Sequence, residues 1–292
     1  MRITSFTIFN QLTRALSDNL RALSRYSDRL SSGKMISKPS DDVSIMGKSM
    51  DYKVTLNEMS QYKKNIDEVD AHLSFADSIM SAVTNALNRS SEIAVQGSSG
   101  ILTDSDRRAL ANEIAIMRDE IASLANSKYR SRYVFAGYHT DTEAFDTSYN
   151  YQGDSGEINV LVDYNSTISL NLPGDSIFGD GATSIMGIMD QFNTDLLNGN
   201  MAGIQGAIDS LDSSLDNIAD VRAELGVRLK YLDDQRQNLD NRDFNIQTLL
   251  SNTEDADISQ AVGEITKTEL ALESLRAAGA KSFSQSLWDF LR

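Results

Sequence analysis

Apolar residues recur along the C-terminal half of this chain at one spacing for longer than a compact domain could use. Ile204, Ile208, Leu211, Leu215, Ile218, Leu225, Leu229, Leu232, Leu239, Ile246 and Leu250 follow one another in steps of three, four or seven. That is the period of a helix that keeps a single stripe turned toward a partner. At 1.5 Å per residue such a helix is roughly 70 Å long, so the pattern predicts a rod. Arg222, Arg236 and Asp243 interrupt the seam where apolar residues are expected. Either they fix the register of helix packing as buried polar positions can, or the helix drifts and they face solvent.

The rest of the chain punctuates the same way. Phe9, Leu16, Leu23 and Leu30 recur every seven residues with Leu12 and Tyr26 between them, which predicts an amphipathic helix over about 5–32. Gly33 terminates it, and Pro39 forbids quick resumption. Ser40-Asp41-Asp42 offers an N-cap and first-turn acids for a second helix. Its seam of Ile66, Val69, Leu73, Ala76, Met80, Val83, Leu87 and Ala94 is broken only at Ser90, and it stops at Ser98-Ser99-Gly100. Thr103 and Asp106 can cap a third helix that shows Leu110, Ile114, Met117, Ile121 and Leu124 on one face. A last helix carries Ile258, Ala261, Val262, Ile265, Leu272, Leu275, Phe283, Leu287 and Phe290, with Trp288 and Leu291 widening its stripe.

Between the helical halves the period becomes two. Ile158-Val160-Val162-Tyr164 and Ile168-Leu170-Leu172 alternate as half-buried strands do, with a turn near Asn165-Ser166 and Pro173 as terminator. A short helix with Ile185, Ile188, Phe192 and Leu196 leads back and stops at Asn198-Gly199-Asn200. The expected fold is mainly α: a long-helix coiled-coil bundle with both termini paired at one end and a small β-rich insert at the other. The expected domains are 1–40 with 252–292, 41–135 with 184–251, and 136–183.

Composition narrows the chemistry. Against 27 Lys and Arg stand 42 Asp and Glu, a net charge of −15, which disfavours nucleic acid and anionic membrane surfaces as partners. The charge is uneven: residues 1–40 hold seven basic against two acidic residues, whereas 133–221 hold fourteen acids and no Lys or Arg. Those acids lack the spacing of an EF-hand loop, so they predict a solvated outer face and no metal. With no Cys and two His, thiolate catalysis, Cys-ligated zinc and disulfides are excluded, and a His-based site has little to work with. His72 flanks the second helix's seam. His139 falls at the entry to the β insert, with no adjacent nucleophile or carboxylate arrangement that would make a triad. Asp41-Asp42 and Asp233-Asp234 are sequence neighbours, which on a helix point about 100° apart and form no acid/base dyad. No catalytic residue, cofactor or metal ligand is expected. Met1 to Gln11 lacks the apolar stretch of a cleaved secretory signal, and no run reaches the roughly 18 apolar residues of a membrane span.

Some of these residues are similar to a known family. Arg29-Leu30-Ser31-Ser32-Gly33-Lys34 followed by Pro39-Ser40-Asp41-Asp42 resembles the amino-terminal motif of the bacterial flagellin superfamily. Arg222-Ala223-Glu224-Leu225-Gly226 and Asp255-Ala256-Asp257-Ile258 resemble its carboxy-terminal half. Tyr133-Val134-Phe135-Ala136-Gly137, Thr140, Thr142, Phe145 and Tyr151-Gln152-Gly153 are similar to its hook–filament junction branch, as is the ending Ser286-Leu287-Trp288-Asp289-Phe290-Leu291. Where filament flagellins usually carry small residues after the Asp pair, this chain has Val43-Ser44-Ile45-Met46.

The resemblance implies a non-enzymatic structural subunit, secreted through the flagellar export channel with a chaperone. It would assemble outside the cell as a homo-oligomeric ring between hook-associated protein 1 and flagellin. Filament flagellin itself and an enzyme carried in the surface insert are the alternatives. Assembly is expected to rest on Phe9, Leu12, Leu16, Leu23 and Leu30 of the first helix. From the last helix it would draw on Ile258, Ile265, Leu272, Phe283, Leu287, Trp288 and Phe290.

Overall fold

The computed structural model describes residues 5–99 and 102–290, with side chains described for residue 7 and for 9–99 and 102–281. The chain divides into two compact units. One holds the residues up to Glu58 and those from Arg242 onward, and the other is Met59–Asn241. Among the described residues, seven α-helices carry most of the structure: α1 Ser5–Ser32, α2 Val43–Gly97, α3 Asp104–Ala125, α4 Gly174–Phe178, α5 Ile185–Asn198, α6 Met201–Glu254 and α7 Ile258–Phe290. Long helices with a small β region match the expected class.

The helix ends have the chemistry expected of them. Gly33, at φ +67, closes α1. Asp42 accepts the backbone amides of Ser44 and Ile45 at 2.8 and 3.0 Å and so starts α2, while Asp41 turns back to the amides of Ser37 and Lys38. Thr103 and Asp106 form a reciprocal capping box. Ser184 caps α5, and Gly199 in the left-handed region ends it.

In the unit Met59–Asn241 the heptad explains the packing. Along α6, Ile204, Leu211, Ile218, Leu225, Leu232 and Leu239 stand seven apart and each is at most 1% exposed. The positions four residues after them are only half-buried or exposed, and two of these are Arg222 and Arg236. Along α2 both rows are buried: Met59, Ile66, Leu73, Met80, Leu87 and Ala94, and also Val69, Ala76, Val83 and Ser90. Two sealed rows mean that α2 packs on two sides, whereas α6 covers it from one. Ser90 is fully buried in the seam without harm, because its hydroxyl donates to Ala86 O at 2.8 Å. Arg222 donates to Asp77 at 2.8 Å, Arg236 pairs with Asp67, and Lys63 meets Asp240 at 2.8 Å. As residue numbers rise on α6 they fall on α2, so the three pairs read out one antiparallel register.

Two short antiparallel hairpins complete this unit. β1 (Lys128–Tyr129) pairs with β2 (Arg132–Tyr133), and β3 (Asn159–Asp163) pairs with β4 (Ser166–Ser169). The second lies where the alternation placed it, and its turn falls at Tyr164-Asn165, one residue early. In the same unit Phe135, Phe145 and Phe178 form an aromatic core with edge-to-face contacts at 5.2 and 5.7 Å. The Tyr151 hydroxyl sits 2.9 Å from the carbonyls of Phe135 and Asp154, and burial pushes its pKa up to about 12. Gly137 is left-handed at φ +66, and a Cβ there would come 2.1 Å from Asp154 O. The two motifs separated in sequence, 133–137 and 151–153, are therefore one structural knot.

Candidate functional site: the paired terminal helices and their hinge

The first compact unit brings the two ends of the chain together. α1 packs along α7, and Phe9, Leu12, Thr13 and Leu16 line a groove of about 260 Å³ with Leu275, Arg276, Gly279 and Ala280. The groove exists because α7 turns small residues toward α1: a Cβ on Gly279 would lie 3.5 Å from Leu12 Cδ2. Leu12, Leu16, Leu23 and Ile265 are half-buried, and Leu272 is buried. Phe9, Leu30 and Ile258 stay 46, 39 and 47% exposed, and Leu270 on α7 is 66% exposed. The helix pair thus covers part of its apolar surface and leaves part in water. The side chains of Phe283, Leu287, Trp288 and Phe290 lie outside the described residues.

Where both helices join the rest of the chain, their connecting segments lie side by side. Met35 N donates to Glu254 O at 2.7 Å and Ala256 N to Gly33 O at 2.9 Å, which sets Lys34 opposite Asp255 in an antiparallel bridge. Lys34 Nζ reaches Asp255 Oδ1 at 2.6 Å, and Ser251 Oγ donates to the other oxygen at 2.6 Å. One residue back, the buried Glu254 carboxylate accepts from Ser49 Oγ and Lys53 Nζ, both at 2.9 Å. Burial pushes the Glu254 carboxyl up, but the bonds from Lys53 and Ser49 and the charges of Lys34 and Lys53 outweigh it and hold it below its ordinary value. The bonds from Lys34 and Ser251 hold the Asp255 carboxyl down, and the bond to Asp255 holds the Lys34 ammonium up.

Sequence reasoning picked out Lys34 and Asp255 in separate motifs and did not join them. It missed Glu254, Ser49, Lys53 and Gly279, and it named Leu275 only as part of the last helix's apolar stripe. A signal existed for Gly279, a small residue seven before Ser286 and four after Leu275 on the apolar face. For Glu254 the only hint was its place just before Asp255.

Little else invites chemistry. His139 stands 3.7 Å from Asp154, but that carboxylate is occupied by the backbone amides of Tyr138 and Gly156, which hold its pKa down. Among the described residues, no three His, Asp or Glu side chains gather to hold a metal ion. No helix among them is long and apolar enough to cross a membrane.

The chain matches the bacterial flagellin N-terminal helical region over residues 3–140 and the bacterial flagellin C-terminal helical region over residues 208–291. It belongs to the bacterial flagellin family, whose members are structural proteins of the flagellum. Among its relatives are flagellar hook-associated protein 3 of Escherichia coli and of Salmonella typhimurium, 27% and 26% identical over 94% of this chain and 94% of theirs. Its fold is also that of a putative flagellar hook-associated protein from Vibrio parahaemolyticus, with a TM-score of 0.70 at 23% identity over 74% of this chain and 100% of that one.

Proposed function

We propose that this chain is the structural subunit of the junction between flagellar hook and filament, where it forms a homo-oligomeric ring on which flagellin polymerises. The observation that carries this is the α1–α7 pair, whose exposed Phe9, Leu30, Ile258 and Leu270 require further apolar partners. Full-length similarity to proteins named hook-associated protein 3 supports the junction over the filament. In this reading 1–40 with 252–292 is the assembly domain, 41–135 with 184–251 the helical body, and 136–183 the outward acidic part. Phe9, Leu12, Leu16, Leu23, Leu30, Ile258, Ile265, Leu272, Phe283, Leu287, Trp288 and Phe290 make the subunit contacts. Hook-associated protein 1 and flagellin are the neighbours, an export chaperone carries the chain to the flagellar channel, and the working location is extracellular. The chain catalyses nothing.

The test is deletion of the gene with complementation by the intact chain. Cells without it keep hooks, lose filaments and shed flagellin into the medium, and the intact chain restores swimming. Normal filaments in the deletion strain would refute the proposal.

A further inference from the structure

One buried group belongs to none of this. His72 on α2 is 8% exposed, and its Nε2 is buried with no hydrogen-bond partner among the described residues. It packs against the β1–β2 hairpin: the His72 and Tyr129 rings stand 5.4 Å apart at 87°, and Phe75 touches the same Tyr129 ring at 5.5 Å. That hairpin cannot hold itself. It has two residues per strand, and a two-stranded ribbon is marginal alone. Its turn also sets Arg130 and Ser131 at φ 46 and 70, a left-handed backbone that favours glycine. The hairpin is braced on α2 by His72, Phe75 and Glu68, which pairs with Arg130, and at its far end by Tyr133 N donating to Thr140 O at 2.9 Å.

We propose that His72 is an acid-sensitive latch, a buried neutral imidazole that seats the Lys128–Tyr133 hairpin on α2 and releases it on taking up a proton. A charge on this ring would be buried with one nitrogen lacking any acceptor, which strongly disfavours the docked state. The charged and titratable groups facing it are few. Glu68, one turn back on the same helix, favours the proton but is already engaged by Arg130. From the hairpin come the Tyr129 phenol and Arg130, which lies over the Tyr129 ring at 5.3 Å. Lys128 is turned to Tyr133 at 4.3 Å. Desolvation outweighs Glu68, so the docked imidazole loses its proton more readily than a free one.

The sign follows. The undocked imidazole titrates near the ordinary value of 6.5, and the docked one lower. Docking is fully stable above that value and weakens as pH falls through it, because proton uptake favours release. What is released is the segment that feeds directly into Tyr133–Gly137 and the aromatic knot.

Hydrogen exchange of the intact chain tests this at residues 128–133, corrected for the intrinsic pH dependence of exchange. Hairpin opening should rise between about pH 7.5 and pH 5.5, by at most about 10-fold, the linkage limit for one imidazole that stays neutral when docked. His139→Gln should keep that rise and His72→Phe should abolish it. An unchanged opening constant in the parent chain, or the same rise in His72→Phe, overturns the proposal. Should His72→Phe not fold, NMR titration of the two histidines in the parent decides. A His72 ring that titrates at or above 6.5 also overturns it.

Discussion

Glu254 shows how one side chain can tie the end of α6 to α2. Its carboxylate is 11% exposed and holds two donors from α2, so Glu254→Ala strands both and should cost about 1–3 kcal/mol in denaturant unfolding of the terminal unit. Lys34→Ala breaks a pair whose side chains are 39 and 41% exposed, and such pairs contribute at most about 1 kcal/mol. If Lys34→Ala costs more than Glu254→Ala, the ranking is wrong. The pH dependence follows from the shifts. Glu254 and Asp255 have folded values below their ordinary 4.5 and 3.8, so their contribution is present above those values and is lost as pH falls through the lower ones. Lys34 is raised above 10.5, so its contribution is present below that value and is lost as pH rises through the higher one. Protection of the Met35 and Ala256 amides, corrected for the intrinsic pH dependence of exchange, should therefore stay high from about pH 5 to about pH 10 and fall beyond both ends. Exchange that is already fast at neutral pH would contradict it. Gly137→Ala, which needs a left-handed alanine against Asp154 O, should lower stability by about 2 kcal/mol or more, read as a fall in Tm.

The long helices were the most legible elements, because a heptad seam needs no tertiary information to be seen. The buried row on α6 keeps strict sevens from Ile204 to Leu239, and the stop at Asn198-Gly199 is where α5 ends. The three interruptions were visible but their meaning was not. Whether Arg222 and Arg236 are buried or solvated depends on α2, whose acids Asp77 and Asp67 lie more than a hundred residues away in sequence. Arg222 is half-buried and Arg236 exposed, and both sit at the seam's edge and bridge to α2. The aromatic knot was hidden for the same reason, since Tyr151 and Phe135 meet only once the β region folds. Such edge pairs contribute little stability but select register. Arg222→Leu should cost under about 1 kcal/mol, whereas Asp77→Arg, which sets like charges together, should cost more and be rescued by Arg222→Asp. No rescue in the double variant would remove the register role.

At the scale of the whole molecule the account is one of assembly. The terminal helices pair, their connecting segments are tied at Lys34–Asp255, and apolar side chains on both helices remain exposed. A chain built this way should join others through its ends. Truncation after Gln285 should leave it secreted but absent from purified flagella, with motility lost. Truncated protein in isolated flagella of swimming cells would contradict that. A junction ring distinct from the filament can be seen by immunogold labelling of the intact chain on isolated hook–filament structures. The account predicts a single band of label where hook meets filament and none along the filament. Label distributed along the filament would make the chain a filament flagellin and contradict the account.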